Sequence, residues 1–274
     1  MIKVKATSRD PVTTYAKNVL SGKIIAGPHV RAACQRHLND LEQAAQRGFF
    51  FDLDKVKRVI GFYEDILRLN GGEYEGQPYR LLDWQKFIVG SLFGWVNADG
   101  HRRFRVAYVE TAKGSGKSPL AAGIGLYGLV ADYEARAEIY AAATKKDQAM
   151  VLFRDAVAMV NQSPDLSANL TKSGVGESVW NIAYRRAGSF FRPISSDDGQ
   201  SGPRPHIALV DEIHEHKTNV AVEMMRAGTK NRRQALIFMI TNSGSDKYGP
   251  CWQYHEYAAR VASGQLIDDA FFSY

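Results

Sequence analysis

Residues Val106-Ala107-Tyr108-Val109 run almost directly into Thr111-Ala112-Lys113-Gly114-Ser115-Gly116-Lys117-Ser118. An apolar, β-prone stretch thus meets a glycine-rich turn ending in Gly-Lys-Ser, and no other feature narrows the fold as much. A strand that turns tightly into a helix through small residues aims several backbone N–H groups at one point. The helix that follows adds the positive end of its dipole. The result is a cradle for phosphate, formed by Thr111, Ala112, Gly114, Ser115, Gly116 and Lys117. In such a loop Lys117 reaches the β- and γ-phosphates and the Ser118 hydroxyl takes Mg²⁺. The usual pattern is G-x-x-x-x-G-K-[ST]; Thr111 stands at its first glycine position.

From Arg105 onward, short β-prone runs alternate with helical segments. The runs are Arg105–Glu110, Glu138–Ala142, Ser189–Ile194, His206–Val210 and Ala235–Ile240; the helical stretches are Ser118–Val130, Asp147–Val160 and Asn219–Ala227. Such alternation implies an α/β fold, a mainly parallel sheet with helices on both faces. Runs as apolar as Ile207–Val210 and Leu236–Ile240 suit central strands buried on both sides. The first seventy residues read differently. Asp10-Pro11 starts a helix, Gly27-Pro28 interrupts, and helical spacing resumes over 29–47 and 54–69 until Asn70-Gly71-Gly72. The expected division is a helical arm over 1–70, a phosphate-loop domain over 71–262, and the start of a linker over 263–274.

The other polar groups with chemical potential lie at the ends of these runs. Asp211-Glu212 closes the strand Ile207–Val210. Acids at the C-terminal edge of a parallel strand face the crevice where ligands bind, which suits Asp211 to a metal and Glu212 to polarising water; two acids there also suit capping of the next segment. Thr241-Asn242 closes Ala235–Ile240, where short polar side chains either sense a phosphate or simply make a turn. Gln85, in Leu81-Leu82-Asp83-Trp84-Gln85-Lys86-Phe87, carries an amide that donates and accepts at once, as an adenine edge requires. The alternative is a plain helix with Trp84 and Phe87 inside and Gln85 exposed. His214 and His216 flank Glu215 without a further ligand cluster, which favours a solvated loop over a metal site.

Bulk properties exclude little. The 274 residues are 45% hydrophobic and 23% charged, an ordinary globular balance, and no apolar run approaches a membrane span. The N-terminus lacks the apolar core of a signal peptide. Cys34 and Cys251 are too far apart in sequence for a metal or redox motif. The net charge of +6 is compatible with a polyanionic partner. The basic groups Arg102-Arg103-Arg105, Lys145-Lys146, Arg185-Arg186 and Lys230-Arg232-Arg233 read singly as solvated surface and together as a possible lining for a nucleic-acid groove.

In this order the segments resemble the large subunit of tailed-phage terminases, the ATP-driven motors that package DNA. The resemblance runs from Tyr15-Ala16 and Ser21-Gly22-Lys23-Ile24 through Leu82–Phe87, V-E-T-A-K-G-S-G-K-S, A-A-A-T-K-K-D-Q-A and L-V-D-E-I-H to I-T-N-S-G. It implies a RecA-like fold of the additional-strand, catalytic-glutamate class, with ATP and Mg²⁺ as ligands. It also implies double-stranded DNA, a portal protein and a small terminase subunit as partners, a ring of subunits, and the bacterial host cytoplasm as location. A missing first glycine is frequent in the family. By the same resemblance Glu212 activates water, Ser118 and Asp211 hold Mg²⁺, and Gln85, Thr241 and Asn242 contact nucleotide. A basic residue early in the loop acts on the γ-phosphate, here Lys113 where Arg is usual. A neighbour's arginine completes the site, with Arg204 the foremost candidate and Arg192 and Arg226 behind it. Asn242 replaces a frequent threonine. The family's nuclease domain would begin about where this sequence ends, so an isolated ATPase region without nuclease activity is the expectation. Two other readings stay open. Asp211-Glu212-Ile213-His214 also spells a D-E-x-H helicase box, and a catalytically weak docking module would keep the fold without turnover.

Overall fold

The computed structural model describes residues 10–195 and 202–274. The expected arm therefore enters with its residues 1–9 outside the described range. Asp10 caps α1 (Pro11–Leu20), its Oδ1 accepting from the Val12 and Thr13 N–H groups at 2.9 and 3.1 Å. This satisfies amides that a helix start leaves unpaired. After Gly27 the chain forms α2 (Pro28–Gln43). Phe49-Phe50-Phe51 then breaks the helical run as β1 (Phe49–Phe51), and α3 (Leu53–Gly61) follows, widening into a π turn over Phe62–Ile66. Next come α4 (Asp83–Gly94) and β2 (Trp95–Asn97), which pairs antiparallel with β1.

The alternating region yields β3 (Val106–Glu110), α5 (Lys117–Val130), β4 (Glu138–Ala143), α6 (Lys146–Gln162), α7 (Pro164–Asn169), β5 (Thr171–Ser173), β6 (Asn181–Tyr184), β7 (Ser189–Ser195), β8 (Ile207–Val210), α8 (Val220–Gly228), β9 (Leu236–Thr241), α9 (Pro250–Ala262) and β10 (Phe271–Ser273). Eight strands form one sheet in the order β10-β3-β9-β8-β4-β7-β6-β5. The first six are parallel, and β6 and β5 join antiparallel at one edge. The expected α/β sheet is present, with β9 as the strand inserted between the loop strand β3 and the acidic strand β8. The segment 263–274, expected as the start of a linker, supplies edge strand β10.

Alternation along the strands sorts two cores. Ala107, Val109, Ile139, Leu209, Phe238 and Ile240 face a core shared with α5, α6 and the helices α1 to α4. Tyr108, Tyr140, Ala208, Val210, Ile237 and Met239 face the opposite one, under α8 and α9. Helix α5 lies close on the sheet: a Cβ on Gly125 would stand 2.7 Å from Phe191 and 2.9 Å from Leu209.

Residues 10–70 share the first core through Val12, Tyr15, Val19, Cys34, Val56 and Tyr63. They are also tied to the far end of the chain by charge. Arg103, its side chain 0% exposed, meets Asp40 of α2 at 2.8 Å and Asp269 at 2.6 Å. Arg102 pairs with Asp132 at 2.6 Å, and Arg105 donates to the carbonyls of Arg232, Arg233 and Ala235. Arg102 and Arg103, both buried, are therefore no lining for a nucleic-acid groove, and Arg105 is half-buried. Buried guanidinium groups must be paired, and their partners are internal.

Candidate active site

Three neighbouring parallel strands, β3, β9 and β8, end at the same edge of the sheet, β8 stopping two residues short of the other two. Glu110 pairs with Thr241, and Val210 pairs with Met239. With about 4.8 Å between strands, the residues following β3 and β8 stand roughly 10 Å apart with the end of β9 between them.

The loop after β3 needs glycine at two points, Gly114 at φ 79° and Gly116 at φ 82°, both in the left-handed region that a Cβ disfavours. Thr111 is not among the positive-φ residues, so its position does not call for glycine. It is instead fastened, its N–H donating to the Thr241 carbonyl at 3.1 Å and its hydroxyl pairing with Ser115 Oγ at 2.7 Å. Lys117, at the start of α5, is 6% exposed. Its Nζ donates to the Ala112 carbonyl at 3.3 Å and to Asn242 Oδ1, the pairing that a buried ammonium requires.

One residue on, Ser118 Oγ donates to Asp211 Oδ2 at 3.2 Å. A hydroxyl and a carboxylate this close are hard oxygen donors of the type Mg²⁺ takes. Burial, with Glu212 beside it, pushes the Asp211 carboxyl up to about 6, against the opposing pull of the Glu212 N–H, Ser118 and Lys117. A bound cation would favour the ionised form. Glu212 itself sits at φ 51°, ψ 50°. This conformation costs a residue with a side chain about 1–2 kcal/mol, the kind of local strain found at working sites. Its Oε2 lies 3.1 Å from His214 Nδ1 and accepts from Asn242 Nδ2 at 3.5 Å. Asn242 thus touches both Lys117 and Glu212.

Gln85, in the first turn of α4, is 3% exposed. The sequence alternative of an exposed Gln85 does not hold. Its Oε1 accepts from the Leu82 N–H at 2.9 Å, and its Nε2 stands 3.6 Å from where a Cβ on Gly116 would lie. Thr241 is fully buried. Lys113 is exposed at the tip of the loop. Arg204 is not brought to this edge: it precedes β8, is exposed, and its backbone N–H donates to Glu138 Oε2 at 2.9 Å. Arg192 lies over the Phe190 ring at 3.7 Å, and Arg226 is exposed on α8.

The histidines depart from the solvated loop expected for them. His216 is 5% exposed with Nε2 3.1 Å from the Asp211 carbonyl, and His214 contacts Glu212 and Thr241. Among the described residues no group of three His, Cys, Asp or Glu side chains converges as a metal site. Two sets of contacts, one at Glu110 and one at His214, had no sequence signal at all. Glu110 accepts from Ser243 Oγ at 2.6 Å and lies 2.9 Å from His255 Nδ1, linking the base of the loop to the segment after β9 and to α9. The His214–Thr241 contact is the other.

The family model described as terminase large subunit, ATPase domain, matches residues 83–260. The large terminase subunit of Enterobacteria phage HK97 is 33% identical over 168 residues, 58% of this chain and 31% of that protein. Protein YmfN of Escherichia coli (strain K12) is 37% identical over 71 residues, 26% of this chain and 16% of that protein. The chain thus spans under a third of the length of these relatives. Among solved structures, the HK97 bacteriophage large terminase aligns with a TM-score of 0.67 at 21% identity, over 80% of this chain and 43% of that one. An ATPase-domain mutant of the Thermus phage P74-26 large terminase aligns at 0.53 and 18% identity, over 76% of this chain and 86% of that one. At these identities the structural likeness speaks for the fold, a RecA-like α/β domain. The matched stretch 83–260 is more than half of the chain and includes the phosphate loop, Asp211-Glu212 and Thr241-Asn242, so the chain belongs to the family of terminase large-subunit ATPase domains.

Proposed function

We propose that this chain is the ATPase module of a DNA-packaging motor, hydrolysing ATP where β3, β9 and β8 end and moving double-stranded DNA into a procapsid. The observation that carries the proposal is the convergence on Asn242 of Lys117 from the loop and Glu212 from the acidic strand end, with Ser118 and Asp211 beside them. The loop N–H groups and Lys117 hold the β- and γ-phosphates. Ser118 and Asp211 hold Mg²⁺, which when bound offsets the charge on the β- and γ-phosphate oxygens. Glu212 takes a proton from the water that attacks the γ-phosphorus, and the bond to the ADP oxygen breaks. Gln85, beside Gly116, is placed for the base. Thr241 and Asn242 respond to loss of the γ-phosphate and pass the change into β9. Lys113 and an arginine of a neighbouring subunit, with Arg204 exposed and available for that role, stabilise charge in the transition state. A ring of such subunits at a portal, supplied with DNA by a small terminase subunit, is the assembly this reading requires.

The test is Mg-ATP affinity and turnover, with and without double-stranded DNA, for the chain and for Lys117→Ala. The chain binds and hydrolyses, while the variant loses about 10²-fold or more in kcat/KM. Absence of measurable Mg-ATP binding by the unaltered chain contradicts the proposal and leaves a docking module in its place.

A further inference from the structure

Glu212 is followed at once by a tight 3₁₀ turn, Ile213–Glu215, that returns His214 to the end of β9. The His214 backbone N–H donates to Thr241 Oγ1 at 3.0 Å. The ring Nδ1 lies 3.1 Å from the same hydroxyl and 3.1 Å from Glu212 Oε2. Thr241 has one hydroxyl hydrogen, and it goes to the Asn242 carbonyl at 2.8 Å. Thr241 Oγ1 therefore meets the imidazole as an acceptor, which places the ring hydrogen on Nδ1. That single N–H goes to the threonine, and the Glu212 carboxylate stands 3.1 Å from the same nitrogen, at ion-pairing distance.

We infer that His214 is a positioning residue for Glu212, its imidazole, bonded to Thr241 and in contact with the carboxylate through Nδ1, keeping the carboxylate in register with Thr241. The inference rests on Glu212 acting on the attacking water in ATP hydrolysis, and it extends that reading by naming the physical link through which β9 sets the carboxylate. The link is short and has little slack. His214 is fastened to Thr241 by both its backbone and its ring, so a displacement of the β9 end carries the imidazole with it and turns the carboxylate it holds. Asn242 Nδ2, on the same strand end, donates to the same oxygen at the longer distance of 3.5 Å, so the imidazole is the closer of the two contacts. A misplacement of about 1 Å at such a group lowers a rate by about 10²-fold.

The test uses the different reach of two amides. Asparagine carries its N–H where histidine has Nδ1; glutamine carries it where histidine has Nε2. Single-turnover hydrolysis and Mg-ATP affinity are measured for the chain, His214→Ala, His214→Gln and His214→Asn, with Glu212→Gln as reference. The expected result is a fall of about 10- to 100-fold in rate for the Ala and Gln variants. Affinity stays within about twofold, and most of the rate returns in the Asn variant. A purely structural role would not separate Asn from Gln, and that contrast stands even if the Ala variant folds poorly. Equal rates for Asn and Gln, or a loss of affinity that tracks the loss of rate, overturns the inference while leaving the ATPase reading intact. Wild-type hydrolysis by Glu212→Gln overturns both.

Discussion

Asp211→Asn should make this protein more stable and, on the proposed function, remove Mg²⁺-dependent ATP hydrolysis. Asp211 is 6% exposed, and burial together with Glu212 pushes its carboxyl from 3.8 up to about 6. An acid whose folded value lies above its unfolded value opposes folding once it is ionised in both states. The cost is about 3 kcal/mol, since each pKa unit is worth about 1.4 kcal/mol. It is present in full above about pH 6, shrinks as the folded state takes up its proton between pH 6 and 4, and is gone below about pH 4. Asparagine keeps an oxygen for the Glu212 N–H, which now donates to Asp211 Oδ1 at 2.8 Å, and carries no charge. The assay is urea unfolding of both proteins without nucleotide at pH 7.5 and pH 4. The variant should gain about 2–3 kcal/mol at the higher pH and nothing at the lower. His37, buried against Trp95 and pushed down to about 4, titrates in the same window in both proteins and cancels from the difference. Adding Mg-ATP should stabilise the wild type and leave the variant nearly unmoved. A variant less stable than wild type at pH 7.5, or a gain that does not change with pH, refutes the reasoning.

Other consequences follow from single contacts. Gly116→Ala forces a side chain into φ 82°, at about 1–2 kcal/mol, and should weaken Mg-ATP binding by about tenfold, as read by nucleotide titration. Arg103→Ala removes the fully buried guanidinium that bridges Asp40 and Asp269, both of which keep Arg47 as a partner; unfolding should show a loss of about 1.5–3 kcal/mol. Gly123→Val places atoms where Tyr63 Cε1 already lies 2.3 Å from an ideal Cβ, and should cost about 1–3 kcal/mol in the same assay through overpacking.

The parts of the site that could be read in the sequence are those that stand at strand ends. In a parallel sheet the chemistry gathers at the C-terminal edge, so Lys117, Ser118, Asp211, Glu212, Thr241 and Asn242 were each visible as polar punctuation after an apolar run. Their meeting depends on β9 lying between β3 and β8, an order that local pattern does not encode. Strands of three or four residues such as β5, β6 and β10 are too short for alternation to announce them, and β1 hides within a helical stretch. The Arg103 network joins residues from three distant parts of the chain, and the partners of Arg102 and Arg105 are equally remote, so a largely internal group looked like surface charge. The role of Thr111 became clear only with its backbone: with no positive φ to satisfy, a hydroxyl that braces Ser115 takes the place of a glycine.

The central claim, that Glu212 activates water at a Mg-ATP site formed by Lys117, Ser118 and Asp211, is tested most directly by Glu212→Gln. Mg-ATP affinity and single-turnover hydrolysis are measured on the same preparation. Glutamine fills the same space and cannot take the proton, so affinity should stay near that of the wild type while the hydrolysis rate falls by about 10²–10⁴-fold. Hydrolysis at a near wild-type rate contradicts the account.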